Sequence, residues 1–161
     1  MFEKQPWMQR AGEYPQTDQQ YFTLLARAVF SAGLGPKVVE SRWASMTTAF
    51  HGFDPAKVQQ MDENDVARLL GDPAVIRNRR KIEAVVENAR RFLECTAEAS
   101  FHTYLGGLGA ESDLEQAAEN LAGVFTHLGR TSALFFLFSA GWRPREADDR
   151  VAESDALSAI A

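Results

Sequence analysis

A chain of 161 residues with 45% hydrophobic and 24% charged content has the size of one globular domain and argues against disorder. A single cysteine, Cys95, excludes an intramolecular disulfide and a thiolate zinc cluster, while His51, His102 and His127 show no metal-ligand spacing. The net charge of −5 excludes a protein that coats nucleic acid through bulk charge, but it leaves room for a local basic face.

Turn punctuation divides the chain into helical pieces, and no run of period-two alternation marks a strand. Thr17 or Asp18 caps a first helix carrying Tyr21, Phe22, Leu24, Leu25, Ala28 and Val29, which stops near Gly33. Pro36 opens a second, with Val38, Val39, Trp43, Met46 and Phe50, because a first-turn proline lacks only an N–H that would be an orphan anyway. Asp54-Pro55 and Asp72-Pro73 each pair a carboxylate cap with a first-turn proline, and a short helix at 62–70 lies between them. Ile82, Val85, Val86, Ala89, Phe92 and Leu93 define an amphipathic helix whose polar face carries Lys81, Glu83, Glu87, Arg90 and Arg91. Cys95 near its end reads as an ordinary buried or half-buried thiol. Ser112 and Glu115 have capping-box spacing ahead of Leu114, Ala117, Ala118 and Leu121. Residues 133–138 are apolar on every side, which places their helix at the centre of the core. A last helix starts around Asp148 or Asp149. The expected fold is all-α, with residues 1–16 as an N-terminal segment and 17–161 as one helical domain.

The N-terminus has no apolar signal-peptide core, and residues 133–140 fall far short of the ~20 needed to span a bilayer. The expectation is a soluble, cytoplasmic monomer without membrane association.

Two stretches point to phosphate. In Phe125-Thr126-His127-Leu128-Gly129-Arg130-Thr131, an amphipathic helix ends at a tight turn and an apolar helix begins. A glycine there permits positive φ and close approach of a ligand, and the unpaired N–H groups of the new helix favour an anion. Leu128, Gly129, Arg130 and Thr131 are therefore candidate DNA-backbone contacts, as in a helix-hairpin-helix. The cluster Arg77-Asn78-Arg79-Arg80-Lys81 is the second, with Arg77, Arg79 and Lys81 as candidates beside the simpler reading of a solvated face. Among aromatic residues able to stack on a base, Trp43 is expected to face the core, whereas Trp7 and Tyr14 lie in the N-terminal segment.

Ala32-Gly33-Leu34, the run from Ala49 through Val58, Met61, Asp65-Val66, and Val75 through Ala84 with Asn88-Ala89-Arg90 occur in an order that resembles the DNA-3-methyladenine glycosylase I family. Ser112-Asp113, Phe125, Leu128-Gly129, Thr131 and Ala140-Gly141 fit the same family more loosely, so that the resemblance spans about residues 17–142. It implies an all-helical, helix-hairpin-helix glycosylase fold. It also implies hydrolysis of the N-glycosidic bond of an alkylated adenine in double-stranded DNA, with no lyase step; no cofactor is expected for this chain. The family's base-recognising glutamate falls on Ala28 here, its pocket tryptophan falls where Gly35-Pro36 stands, and its zinc-binding cysteines and histidines have no counterpart before His51 or after Gly141. The wider superfamily carries an aspartate some twenty residues past the hairpin glycine. Asp148 and Asp149, nineteen and twenty past Gly129, are thus candidates to orient water or stabilise an oxocarbenium-like sugar; helix capping is the plainer role. The alternatives are a non-catalytic DNA-binding relative and a helical scaffold for protein contacts, the latter drawn from the acidic balance.

Overall fold

The computed structural model describes residues 2–145. Within them lie eight α-helices and no strand: α1 (Asp18–Ser31), α2 (Pro36–Ala49), α3 (Pro55–Val58), α4 (Glu63–Leu70), α5 (Arg79–Cys95), α6 (Phe101–Gly107), α7 (Leu114–Val124) and α8 (Arg130–Ser139). The expected all-α fold is what the chain forms.

Local chemistry explains most boundaries. Thr17 caps α1 in a reciprocal box with Gln20, Asp54 caps α3 through Ala56 N, and Asp62 forms a box with Asp65 at α4. Three expectations shift. Asp72-Pro73 opens a turn rather than a helix: the Asp72 carboxylate accepts from Ala74 N, and α5 starts only at Arg79 behind an Asn78 cap. The cap of α7 is Asp113, accepting from Gln116 N, one residue beyond the expected Ser112. Finally α6, capped by Ser100, occupies a stretch to which the periodicity assigns nothing.

α1 packs against α2, α5, α6 and α8, and its Leu25-Ala26-Arg27-Ala28-Val29-Phe30 run is buried all round. α8 shares that central place without filling it alone. Ala133, Leu134, Phe136 and Leu137 are buried, whereas Phe135 and Phe138 are half-buried and turn towards the N-terminal segment, where Phe2 packs edge-on to both. That segment runs as a strap along the end of α8. Gln9 N donates to Ser139 O at 2.9 Å, Gly12 N to Gly141 O at 2.9 Å, and Arg143 Nη2 to Gln9 O at 2.7 Å. The close approach needs a glycine at 141, whose φ is +90° and whose added Cβ would stand 2.7 Å from Arg10 O. The predicted last helix near Asp148 lies outside the described residues.

Candidate functional site

Between the strap, the end of α1, the start of α2 and the start of α8 opens a cavity of about 320 Å³. That is the lower end of the range for small-molecule pockets, a scale suited to one heteroaromatic ring system. Ala28, Ala32 and Gly33 form its α1 side, Thr131 and Ser132 its α8 rim, and Trp7 lies on the strap. Leu34 (37% exposed), on the cavity wall, and Val38 (46%), at the start of α2, are large apolar side chains left in solvent.

The charged group set into this wall is Arg27, 4% exposed. Its guanidinium stands 3.7 Å from the centroid of the Trp7 ring and 5.0 Å from that of Trp43, and Nη2 donates to Glu40 at 2.5 Å. Burial lowers the Arg27 pKa from its ordinary value, and the Glu40 carboxylate works against that shift. The group stays charged, because guanidinium deprotonates too reluctantly for burial to neutralise it. Among the described residues, the one carboxylate on the lining is Glu3, exposed on the strap.

Of the aromatic candidates, Trp7 lies on the cavity. Tyr14 sits elsewhere, 4.4 Å from Trp142 and 4.8 Å from His102 between ring centroids. Trp43 stacks on Phe53 at 5.0 Å and is half-buried, one edge of the core instead of its interior. Sequence reasoning missed Arg27, although the signal was present: a single cation in the otherwise apolar run Leu24-Leu25-Ala26-Arg27-Ala28-Val29-Phe30.

The α7–α8 turn is held from beneath by α5. Buried Asn88 donates from Nδ2 to Thr126 O at 3.0 Å and accepts from Thr126 N at 2.8 Å, and Arg91 Nη1 donates to Val124 O at 2.9 Å. The expected positive φ belongs to His127 (φ 54°) and not to Gly129, whose φ of −74° and ψ of 174° are extended backbone. Gly129 matters for a different reason. It caps α8 without a side chain, it is exposed, and no atom lies within 4 Å of where a Cβ would stand. The first N–H groups of α8 have no side-chain cap, and exposed Thr131 stands among them on the cavity rim. Arg130 is exposed and paired with Glu115, and Leu128 is buried, anchoring the turn with its side chain.

The basic cluster divides in the same way. Lys81 Nζ donates to Phe30 O at 3.0 Å and Ala32 O at 2.5 Å, capping the end of α1, and burial lowers its pKa. Arg79 pairs with Glu63 at 2.7 Å and Glu83 at 3.1 Å. Arg77 and Arg80 are exposed, with no ion pair among the described residues. Lys81 thereby ties the start of α5 to Ala32, which lines the cavity together with Thr131.

A family model described as "Methyladenine glycosylase" matches residues 7–135, most of the chain and nearly all of the cavity wall. The chain belongs to that family. It is 40% identical over 81 residues to DNA-3-methyladenine glycosylase 1 of Escherichia coli K12, a match covering 50% of this chain and 43% of that protein. The DNA-3-methyladenine glycosylase of Haemophilus influenzae is 35% identical over 80 residues, 49% of this chain and again 43% of the relative. The chain thus matches less than half the length of these curated relatives. The solved 3-methyladenine DNA glycosylase I of Staphylococcus aureus, described for its recognition of 3-methyladenine, superposes with a TM-score of 0.73 at 27% identity, over 86% of this chain and 87% of that one.

Ala28, on which the resemblance places the family glutamate, puts a methyl group on the cavity wall, directly after Arg27. Among the described residues, no three His, Cys, Asp or Glu side chains come together in a group able to hold a metal. The join between the N-terminal segment and the end of α8 is made by backbone hydrogen bonds, Arg143 and Gly141. No helix among the described residues is long and apolar enough to cross a membrane.

Proposed function

We propose that the chain is a monomeric, cytoplasmic DNA N-glycosylase, which receives one damaged base of a duplex, of the alkylated class its relatives are named for, and hydrolyses its N-glycosidic bond. The observation that carries this reading is the cavity beside Ala28, bordered on one side by a ring-sized wall and on the other by the exposed start of α8. An enzyme acting on a base must take it out of the stack into such a pocket, and it needs a hold on the neighbouring phosphates while it does so. The N–H groups after Gly129, the Thr131 hydroxyl, and Arg77 with its neighbour Arg80 supply that hold. Arg79 and Arg130 join it by exchanging exposed carboxylate partners for phosphate, at little cost because such pairs are weak. Lys81 and Leu128 serve by fixing the end of α1 and the turn.

Hydrolysis passes through an oxocarbenium-like sugar, which a carboxylate stabilises while orienting water. Asp148, outside the described residues, is assigned that role. A duplex carrying an alkylated purine, incubated with the protein and then cut with alkali at abasic sites, shows base release as a shortened strand. Release is expected, falling at least about a hundredfold in Asp148→Asn; no release across several lesions overturns the proposal. Among the described residues no carboxylate stands on the helical walls of the cavity, which favours a second reading, a DNA-binding relative without turnover. That reading predicts salt-dependent duplex binding with no shortened strand.

A further inference from the structure

Two charged side chains line the cavity among the described residues, and they differ in what answers them. The Arg27 guanidinium is answered within the protein: Glu40 accepts from Nη2 at 2.5 Å, and the Trp7 ring lies 3.7 Å from the ion. Glu3 is exposed, and its carboxylate has no hydrogen bond or ion pair among the described residues. The unanswered charge at this cavity is therefore negative, and it comes from the strap rather than from α1.

The strap holds Glu3 in place. Phe2 packs edge-on to Phe135 at 5.4 Å and to Phe138 at 5.7 Å, and Trp7 meets Phe135 at 6.0 Å. Buried Met8 donates its N–H to Gln5 O at 3.0 Å, which tightens the same arc. Both aromatic anchors thus close on Phe135, itself a lining residue, and Glu3 stands between them. A ring that fills about 320 Å³ meets Ala28 from α1 and Glu3 from the strap.

We infer that Glu3 is a specificity residue of this cavity: its carboxylate supplies the negative charge that holds a positively charged alkylated base in preference to a neutral base of the same shape. The inference rests on the reading of the cavity as a base pocket. An opposite charge close to a ring favours its cationic form. Solvent weakens that attraction in the free protein, and a duplex seated over the mouth displaces water and strengthens it. Phosphates repel Glu3 whichever base is bound, so their effect cancels between two lesions.

The test uses the full chain and two duplexes that differ in charge alone. One carries 3-methyladenine, cationic as a nucleoside, and the other its neutral isostere 3-deaza-3-methyladenine. Each stands on a 2′-fluoro sugar that resists cleavage, so that anisotropy reads binding without turnover. The wild-type protein is expected to bind the cation at least about fivefold tighter, the upper end for a partly screened charge pair. Glu3→Gln keeps the shape and brings the ratio to about one, Glu3→Asp restores a preference for the cation, and Glu3→Lys reverses it. Glu13→Gln, which removes an equal charge from the strap away from the cavity lining, leaves the ratio as in the wild type. Glu3 is exposed and unpaired, so its variants keep the fold. A wild-type ratio of one or less overturns the inference, as does a ratio unchanged in Glu3→Gln or shifted equally in Glu13→Gln. The methyladenine duplex on a natural sugar separates the two proposals. A Glu3-dependent ratio without base release removes the activity and leaves the specificity standing, whereas release with a Glu3-independent ratio does the reverse.

Discussion

The end of α1 and the α7–α8 turn border one cavity and meet it on different terms. The α1 wall is buried: Arg27 is 4% exposed, pinned by Glu40 and covered by a strap that closes over it. The hairpin rim is open: Gly129 and Thr131 are exposed, and nothing stands near the position of a Gly129 Cβ. In the proposed function this contrast is the one between receiving a base, which must be desolvated, and holding a phosphate backbone, which can be met at the surface.

Each side depends on a different fastening, and the two can be broken separately. The largest effect is expected on the strap. Gly141→Ala places a Cβ 2.7 Å from Arg10 O at a φ of +90°, which should cost on the order of 3 kcal/mol and uncover the Arg27 wall. Chemical denaturation measures the loss, and quenching of Trp7 fluorescence by iodide reports the uncovering. On the hairpin side, Asn88→Ala removes both bonds that hold Thr126. A loss of about 2–3 kcal/mol is expected, since two backbone groups are left unpaired in a half-buried turn. Duplex affinity should fall with it.

A third effect concerns pH. Tyr21, on α1 behind the strap, accepts from Trp142 Nε1 at 3.2 Å and pairs with His102 Nδ1 at 2.8 Å. Burial pushes its pKa up to about 12, from an ordinary 10.0. The folded state therefore holds a proton that the unfolded chain releases, so stability is complete below pH 10 and declines as the pH climbs towards 12. Tyr104 is raised to about 12 as well and contributes to the same limb. Tyr21→Phe is expected to flatten part of that decline at a cost of about 1 kcal/mol near neutrality, read from melts across the range. Asn88 does not titrate, so the hairpin fastening has no such limb of its own.

The smallest effect on folding and the sharpest on function is expected at the rim. Gly129→Ala meets no atom and keeps an allowed φ of −74°, so stability changes by under about 1 kcal/mol. Duplex affinity should nevertheless drop roughly tenfold, because the added methyl stands in the open space through which a phosphate would approach the start of α8, which costs on the scale of one charge-assisted hydrogen bond. Arg77→Ala should leave the melt unchanged and lower the salt slope of binding by about 0.9, as one phosphate contact requires.

Much of this was legible along the chain because it is local. Thr17, Asp54 and Asp62 cap helices whose first turns lie within four residues, and the Ile82-to-Phe92 spacing is a property of one helix. The errors are local too. Asp72-Pro73 has the composition of a helix start, but its carboxylate is satisfied by Ala74 N, and the chain turns before Asn78 restarts it. Gly129 suggested a left-handed turn, and His127 supplies it, because fastening by Asn88 outweighs the mild cost of positive φ there. The fate of the basic cluster could not be read locally at all. Arg77, Arg79 and Lys81 look equivalent in sequence, and the fold gives them solvent, two carboxylates and the end of α1 respectively.

The sequence by itself determined that the chain would form capped helices around an apolar core, and its ordered motifs carried the family resemblance. Both are encoded in residue types at short spacing, where caps and periodicity act. Only the tertiary structure decided what surrounds Ala28. The strap reaches it through a hydrogen bond across 134 positions, from Arg143 to Gln9. Lys81 seals the end of α1 from 49 residues away, and the Arg27 guanidinium finds Glu40 on another helix. Such contacts form when distant segments pack, so a missing carboxylate is visible in the sequence, whereas the buried cation next to it acquires its meaning only in the folded wall.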